Sequence, residues 1–177
     1  NNYDYILMLD SDVLIPKNII EELLLCEKDI VSGLYFNYFM DNGETKILPV
    51  AWMAITEREF EILKKKHTFP EFIKSHEDIR RNLTKQEIDS NQLIQVLIPS
   101  MGCVLLSRKV FSMVRYKIID TTKFDNLPTT DDISFVLEAK KAGFESYCYT
   151  KVKCTHMLEN KFEKDSQGNY MHPGFSY

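Results

Sequence analysis

Two carboxylates, Asp10 and Asp12, stand two residues apart directly after the apolar run Tyr5-Ile6-Leu7-Met8-Leu9. At that spacing both can reach one hard divalent cation while Ser11 turns away. Mg²⁺ or Mn²⁺ favours such oxygen ligands and keeps positions open for water and substrate phosphates. A cation held there offsets the charge that develops on a departing diphosphate. The placement suits a site, because ligands of open α/β sheets bind beyond the carboxyl ends of strands. Aspartates also end strands and cap turns, so the Asp-x-Asp pattern by itself has a plain structural reading too.

A second acidic pair, Asp131-Asp132, opens a helical pattern after the polar residues 126–130. Carboxylates at a helix N-terminus are favourable in their own right, so capping is the first reading of this pair. Adjacency adds another: neighbouring carboxylates raise each other's pKa, which moves one towards general-base duty near neutral pH. His156 follows the last strand pattern, in Cys154-Thr155-His156-Met157, and taken alone reads as a packed or exposed histidine before a ligand. Nothing singles out His67, His76 or His172.

The elements that must position these groups follow from periodicity. Residues 5–9 read as a central strand, because a continuous apolar run suits burial on both faces. Pro16 suits the first position of a helix carrying Ile19, Ile20, Leu23 and Leu24. Residues 29–36 form a second strand pattern, in which Gly33 allows close backbone approach. The turn signal Asp41-Asn42-Gly43 predicts a hairpin between residues 38–39 and 47–48. Residues 50–55 fit a short buried strand, with Trp52 packed among apolar neighbours, and 56–90 are lysine-rich and broadly helical in pattern. Strands follow at 93–98 and 103–106, then a helix over 132–141 stopped by Gly143, then strands at 145–149 and 151–155. Residues 158–177 have no apolar periodicity but carry Phe162, Tyr170, His172 and Phe175, which suits a mobile cover over a bound ligand. Strands alternating with helices make the class α/β, in one domain over 1–177 with its core in 1–157.

Bulk properties narrow the partners. The chain has 177 residues, of which 44% are hydrophobic and 27% charged, enough for one domain with a real core. A net charge of −4 argues against nucleic acid as the main partner. The longest apolar run, residues 50–55, is far too short to be a transmembrane segment, and no signal-peptide pattern is present. Cys26, Cys103, Cys148 and Cys154 lack Cys-x-x-Cys spacing and sit as small core residues would, which favours a reducing, cytoplasmic setting; peripheral membrane association stays open. Asn82-Leu83-Thr84 is a formal glycosylation acceptor in a chain that otherwise reads as intracellular.

Taken in order, four stretches resemble the GT-A-type glycosyltransferases, closest to the family 2 group. Residues 3–12 are similar to that family's strand ending in Asp-x-Asp, and 13–20, with Pro16, to the helix start that follows it. Residues 102–111, Gly-Cys-Val-Leu-Leu-Ser-Arg-Lys-Val-Phe, resemble its glycine-led strand and following helix beside the acceptor pocket. Residues 130–135 with Lys141-Ala142-Gly143-Phe144 resemble its acidic pair and catalytic helix, and Cys154-Thr155-His156 falls where the family has a strand and a histidine. The resemblance implies a three-layer α/β/α fold with a mixed central sheet. GT-A enzymes carry several β-α units before Asp-x-Asp that hold the nucleotide base. Here that nucleotide-binding part is short or missing, through truncation or because the chain is a compact viral or archaeal member.

The resemblance also implies a mechanism. A hexosyl-type sugar passes from a nucleotide-diphospho-sugar donor to the hydroxyl of a sugar, protein or lipid-linked acceptor, with inversion. Asp12 and His156 would ligate Mn²⁺ or Mg²⁺, with Asp10 as a further ligand or a contact to the donor ribose. Asp132 would act as base, and Asp131, where the family commonly has Glu, leaves the assignment open between the two. Two rival readings remain: a haloacid-dehalogenase-type Mg-dependent phosphatase, which also starts from Asp-x-Asp, and a non-catalytic GT-A-like binding module.

Overall fold

The apolar run ahead of the first carboxylates forms β1 (Tyr5–Leu9), which lies at the edge of its sheet rather than at the centre. The computed structural model describes residues 3–41, 44–69, 71, 73–116 and 130–157, and the strands at 163–164 and 170–171. The central position expected for β1 fails for a physical reason. An apolar run reports burial of both faces, and Leu7 and Met8 do pack against opposite cores. It says nothing about how many strands flank it, and Tyr5 and Leu9 are exposed.

A turn closed by Val13 N–H on the Asp10 carbonyl (3.2 Å) leads into the short strand β2 (Val13–Leu14). Helix α1 (Ile19–Leu24) starts later than Pro16 suggests, after Asn18; Pro16 instead accepts a turn hydrogen bond from Ile19 N–H. β3 (Ile30–Leu34) is buried throughout. The expected hairpin is present as β4 (Phe36–Asp41) and β5 (Glu44–Pro49), with Tyr38 opposite Ile47; its turn, Asn42-Gly43, lies outside the described residues. β6 (Trp52–Ala54) carries Trp52 edge-on to Phe39, so that ring packs.

Residues 56–90 are helical only in part. Helices α2 (Glu57–Lys64) and α3 (Lys85–Asp89) each begin with a capping box, Thr56 with Glu59 and Thr84 with Glu87. Between them runs β7 (Arg80–Asn82), paired with β6 and invisible to periodicity because three polar residues owe their strand form to that neighbour. Then come β8 (Leu93–Val96), β9 (Cys103–Ser107), α4 (Arg108–Met113) and α5 (Asp131–Lys141). Thr130 caps α5 by accepting from Ile133 N–H, and Gly143 (φ 91°) takes the left-handed conformation just beyond its end. The two strands expected at 145–155 are one, β10 (Ser146–Lys153), followed by β11 (Thr155–His156). In the tail, β12 (Glu163–Lys164) pairs with β13 (Tyr170–Met171); the remaining residues read as a mobile cover, with Phe162, His172 and Phe175, lie outside the described residues.

The main sheet has five strands in the order β1-β9-β3-β10-β8 and is mixed: only β3 and β10 pair in parallel. β1, β3 and β10 therefore run the same way, and their carboxyl ends share one edge. Alternation along β9 sends Cys103 and Leu105 to one face and Val104 and Leu106 to the other. On the first face they meet Ile19 and Leu23 of α1. On the second they meet Val110 of α4 and Phe135, Val136 and Ala139 of α5. Helices thus cover both faces of an α/β fold, and each fully buried side chain such as Phe135 or Leu23 contributes roughly 1.5–3 kcal/mol.

One irregularity decides where the chain goes next. From Cys148 opposite Ser32 to Lys153 opposite Leu34, β10 advances five positions while β3 advances two. Cys148 packs in the core with Leu34 and Val96, whereas Val152 and Cys154 pack in the α1 core across the sheet. The bulge moves the buried side chains of β10 from one face to the other. Gly33 makes room: a Cβ there would stand 3.0 Å from Cys154 Sγ and 3.1 Å from Val152 Cγ1.

Candidate active site at the carboxyl edge of the sheet

Beyond that bulge the chain turns back along β2. Thr155 pairs with Leu14 and His156 with Val13, and Met157 N–H donates to the Asp12 carbonyl at 2.6 Å. The antiparallel pairing fixes His156 beside the Asp-x-Asp turn. Its Nε2 lies 3.2 Å from Asp12 Oδ2, with the ring largely covered and the carboxylate half exposed. His156 Nδ1 is buried and has no hydrogen-bond partner among the described residues.

Asp10 faces another way. Its N–H donates to the Gly102 carbonyl (3.0 Å), and its carboxylate lies against Gly102 itself. A Cβ on residue 102 would come within 2.3 Å of Asp10 Oδ2 and 2.7 Å of the Tyr35 hydroxyl, so any side chain there would push the Asp10 carboxylate and the Tyr35 hydroxyl out of these positions. Gly102 N–H donates to the Tyr35 hydroxyl (3.0 Å), and the Tyr35 ring stands 5.3 Å from that of His156. Tyr35, buried at the end of β3, therefore touches the surroundings of both carboxylates. Burial raises the Tyr35 phenol well above its ordinary pKa, and the nearby Asp10 and Asp132 charges add to that.

Asp132 reaches the same edge from the start of α5. Its pKa is raised, first by burial and then by the charge of Asp10. The partner differs from the one expected, since adjacent Asp131 is not among the causes. Successive residues on a helix point about 100° apart, so sequence neighbours need not share a site. Tyr116 donates its hydroxyl hydrogen bond to Asp132 Oδ1 and stacks on Phe135 one turn along α5.

The structure thus brings Asp12 to His156, and Asp10 to within electrostatic reach of Asp132. It does not gather Asp10, Asp12 and His156 into one cluster. Among the described residues no group of three or more His, Cys, Asp or Glu side chains is placed to hold a metal ion. What remains is a two-donor arrangement, one carboxylate oxygen and one imidazole nitrogen, open on the Asp12 side. That donor set fits a divalent cation whose other positions are filled by phosphate oxygens and water, and not an all-protein cage. Tyr35, Tyr116 and the demand for glycine at 102 escape sequence reasoning about chemistry. Tyr35 lies inside the strand pattern of residues 29–36 and Tyr116 in no patterned element, and their partners are 16 or more residues away in sequence.

No family model matches the chain, and no curated protein is similar to it. Among solved structures it is similar to the crystal structure of A197 from STIV, at 14% sequence identity and a TM-score of 0.47. The match covers 96% of this chain and 65% of that one, so the chain spans just under two thirds of that protein's length. No helix among the described residues is long and apolar enough to cross a membrane.

Proposed function

We propose that the chain is a metal-dependent, inverting GT-A-type glycosyltransferase, moving a hexosyl-type sugar from a nucleotide-diphospho-sugar to an acceptor hydroxyl. The observation that carries this reading is the meeting of Asp12 with His156 on the sheet edge that also holds Asp10 and a half-buried Asp132. Asp12 and His156 are the residues that would hold Mn²⁺ or Mg²⁺. When bound, the cation supplies the positive charge that stabilises a departing diphosphate. Asp10, which packs against Gly102, would bind a donor ribose hydroxyl.

Asp132 is the base. Burial and the Asp10 charge disfavour its anion, so it gains a proton more readily than an ordinary aspartate. With Oδ1 occupied by Tyr116, the other oxygen takes the proton from the acceptor hydroxyl as that hydroxyl attacks the anomeric carbon. Attack from the face opposite the leaving diphosphate inverts the centre. A phosphatase of the haloacid-dehalogenase type wants its later acidic pair at a strand end, whereas Asp131-Asp132 opens α5.

The test is release of nucleoside diphosphate from UDP-, GDP- and dTDP-sugars with Mn²⁺, alongside calorimetric binding of the same nucleotides. Release that needs Mn²⁺ and is lost in His156→Ala is the expected result. A wild-type chain that binds none of these nucleotides with Mn²⁺, or a His156→Ala variant equal to wild type, sinks the reading.

A further inference from the structure

Asp10 and Asp12 are two residues apart, yet their carboxylates face different neighbours, and contacts through other parts of the fold join them again. Asp10 N–H donates to the Gly102 carbonyl at 3.0 Å, and Gly102 N–H donates to the Tyr35 hydroxyl at 3.0 Å. The Tyr35 ring stands 5.3 Å from the His156 ring and is tilted 40° to it, and His156 Nε2 lies 3.2 Å from Asp12 Oδ2. The circuit runs from the turn after β1, through the residue before β9 and the residue after β3, to β11.

Tyr35 is itself held in place. It is buried in the α1 core with Val13, Cys103 and Val152, and its carbonyl accepts from Val50 N–H at 2.9 Å. A phenylalanine would fill that space with no polar atom to take out of water, and a buried hydroxyl is unfavourable unless it is bonded. Here the hydroxyl oxygen takes Gly102 N–H, within reach of the charges of both Asp10 and Asp132.

We propose that Tyr35 is a positioning residue, whose hydroxyl fixes the Asp10–Gly102 half of the site and whose ring backs His156, so that one side chain sets the two halves against each other. The inference rests on the sugar-transfer reading for what each half binds, a donor ribose at Asp10 and a divalent cation at Asp12 and His156. Loss of the hydroxyl leaves Gly102 N–H without its acceptor and loosens the turn on which Asp10 rests, while the ring stays against His156. Loss of the ring as well removes the backing of the imidazole. Tyr35 acts through these neighbours and not on the reacting atoms.

Tyr35→Phe and Tyr35→Leu separate the two parts. They are assayed with Mn²⁺ and whichever of UDP-, GDP- or dTDP-glucose the wild-type chain turns over. In Tyr35→Phe, KM for the donor should rise about tenfold while kcat stays within about twofold of wild type. The Mn²⁺ concentration giving half the maximal rate should not change in that variant, and should rise about tenfold in Tyr35→Leu. A side chain that served stability alone would lower the folded fraction, and with it the apparent kcat, and leave KM where it was. The same variants are compared by NMR with no ligand added. The Asp10 carboxyl signal should move in both, and the His156 ring signals should move in Tyr35→Leu and stay near wild type in Tyr35→Phe. Wild-type KM in Tyr35→Phe, with a working wild-type enzyme, overturns the proposal and leaves sugar transfer standing. A wild-type chain that turns over none of these donors sinks sugar transfer instead, and the spectra then decide: an Asp10 signal unmoved in Tyr35→Phe overturns the positioning role. Tyr35→Phe keeps the packing of the ring, so it decides the hydroxyl's part even where the leucine variant fails to fold.

Discussion

Glu87 and Asp132 are both carboxylates in the opening turn of a helix, and the molecule treats them in opposite ways. Glu87 takes two hydrogen bonds from Arg81 at 2.8 Å and a third from Thr84 N–H, and its pKa is lowered to about 2. The hydrogen bonds from Arg81 and Thr84 stabilise the anion by more than partial burial disfavours it, so it holds α3 against β7. Asp132 has burial and another carboxylate around it, and both raise its pKa. A carboxylate that serves the fold is surrounded by donors and cations. One held near a like charge and away from water contributes nothing to stability as an anion, which is the condition expected of a proton acceptor.

The widest separation between these regions should appear in activity. Asp132→Asn is expected to slow transfer by about 10²–10⁴-fold, the usual cost of losing a general base. Folding should stay within about 1 kcal/mol of wild type, on the stabilised side. A raised pKa means that charging Asp132 costs stability as pH climbs above the ordinary value of 3.8 through the folded value, and Asn removes that cost at pH 7. Asp131→Asn is the control, with transfer rates expected to change much less. Equal rates for wild type and Asp132→Asn, measured beside thermal melts, would put both carboxylates in the structural class.

Gly102→Ala is expected to have a middling effect on stability and to damage the site with it. The new Cβ would overlap Asp10 Oδ2 and the Tyr35 hydroxyl, and overpacking of this kind costs about 1–3 kcal/mol. Urea titration gives the cost, and nucleotide binding with Mn²⁺ should weaken in the same variant. Binding at wild-type strength would mean that Asp10 can leave Gly102 without consequence.

The smallest effect belongs to the satisfied region. Glu87→Gln should cost about 1–2 kcal/mol at pH 6, once solvent screening of this partly exposed pair is allowed for. Because the folded pKa is depressed, the stabilisation is complete above the unfolded value of 4.5 and is lost as pH falls towards about 2. Urea midpoints for wild type and variant should therefore draw together between pH 4.5 and 2 and converge only at or below about pH 2. A gap that is as wide at about pH 2 as at about pH 6 would assign the cost to shape rather than charge.

Local pattern makes much of this frame legible. The apolar run of β1, the hairpin turn, and α5 with its acidic start and Gly143 stop all follow from residues next to one another. Asp10, Asp12, Asp132 and His156 can be picked out as candidates for the same reason, because each adjoins a patterned element. Contacts set by non-local pairing are not legible. That Asp10 rather than Asp131 bears on Asp132 depends on the alignment of β1 against β9, in which Leu9 meets Cys103. Tyr35 reads as one more apolar residue after β3, and only the fold brings Gly102 N–H to its hydroxyl. Nor does alternation reveal β1 as an edge strand, since a strand's flanks leave no mark on its own side chains.

The surplus of residues in β10 between Cys148 and Lys153 has a consequence for how this chain can change over time. A strand keeps count by twos, and a shift of one residue exchanges its faces. The surplus works as a phase shifter: it is what carries Val152 and Cys154 to the α1 side and sets His156 against Val13. The identity of exposed residues in that stretch, such as Lys151, is open to substitution, but its length is not. Removing or adding a single residue there would put the succeeding side chains out of step and present the wrong one to Asp12. The geometry around His156 is written in spacing, and a lineage could abolish it with one codon lost while every residue that forms the site stayed in place.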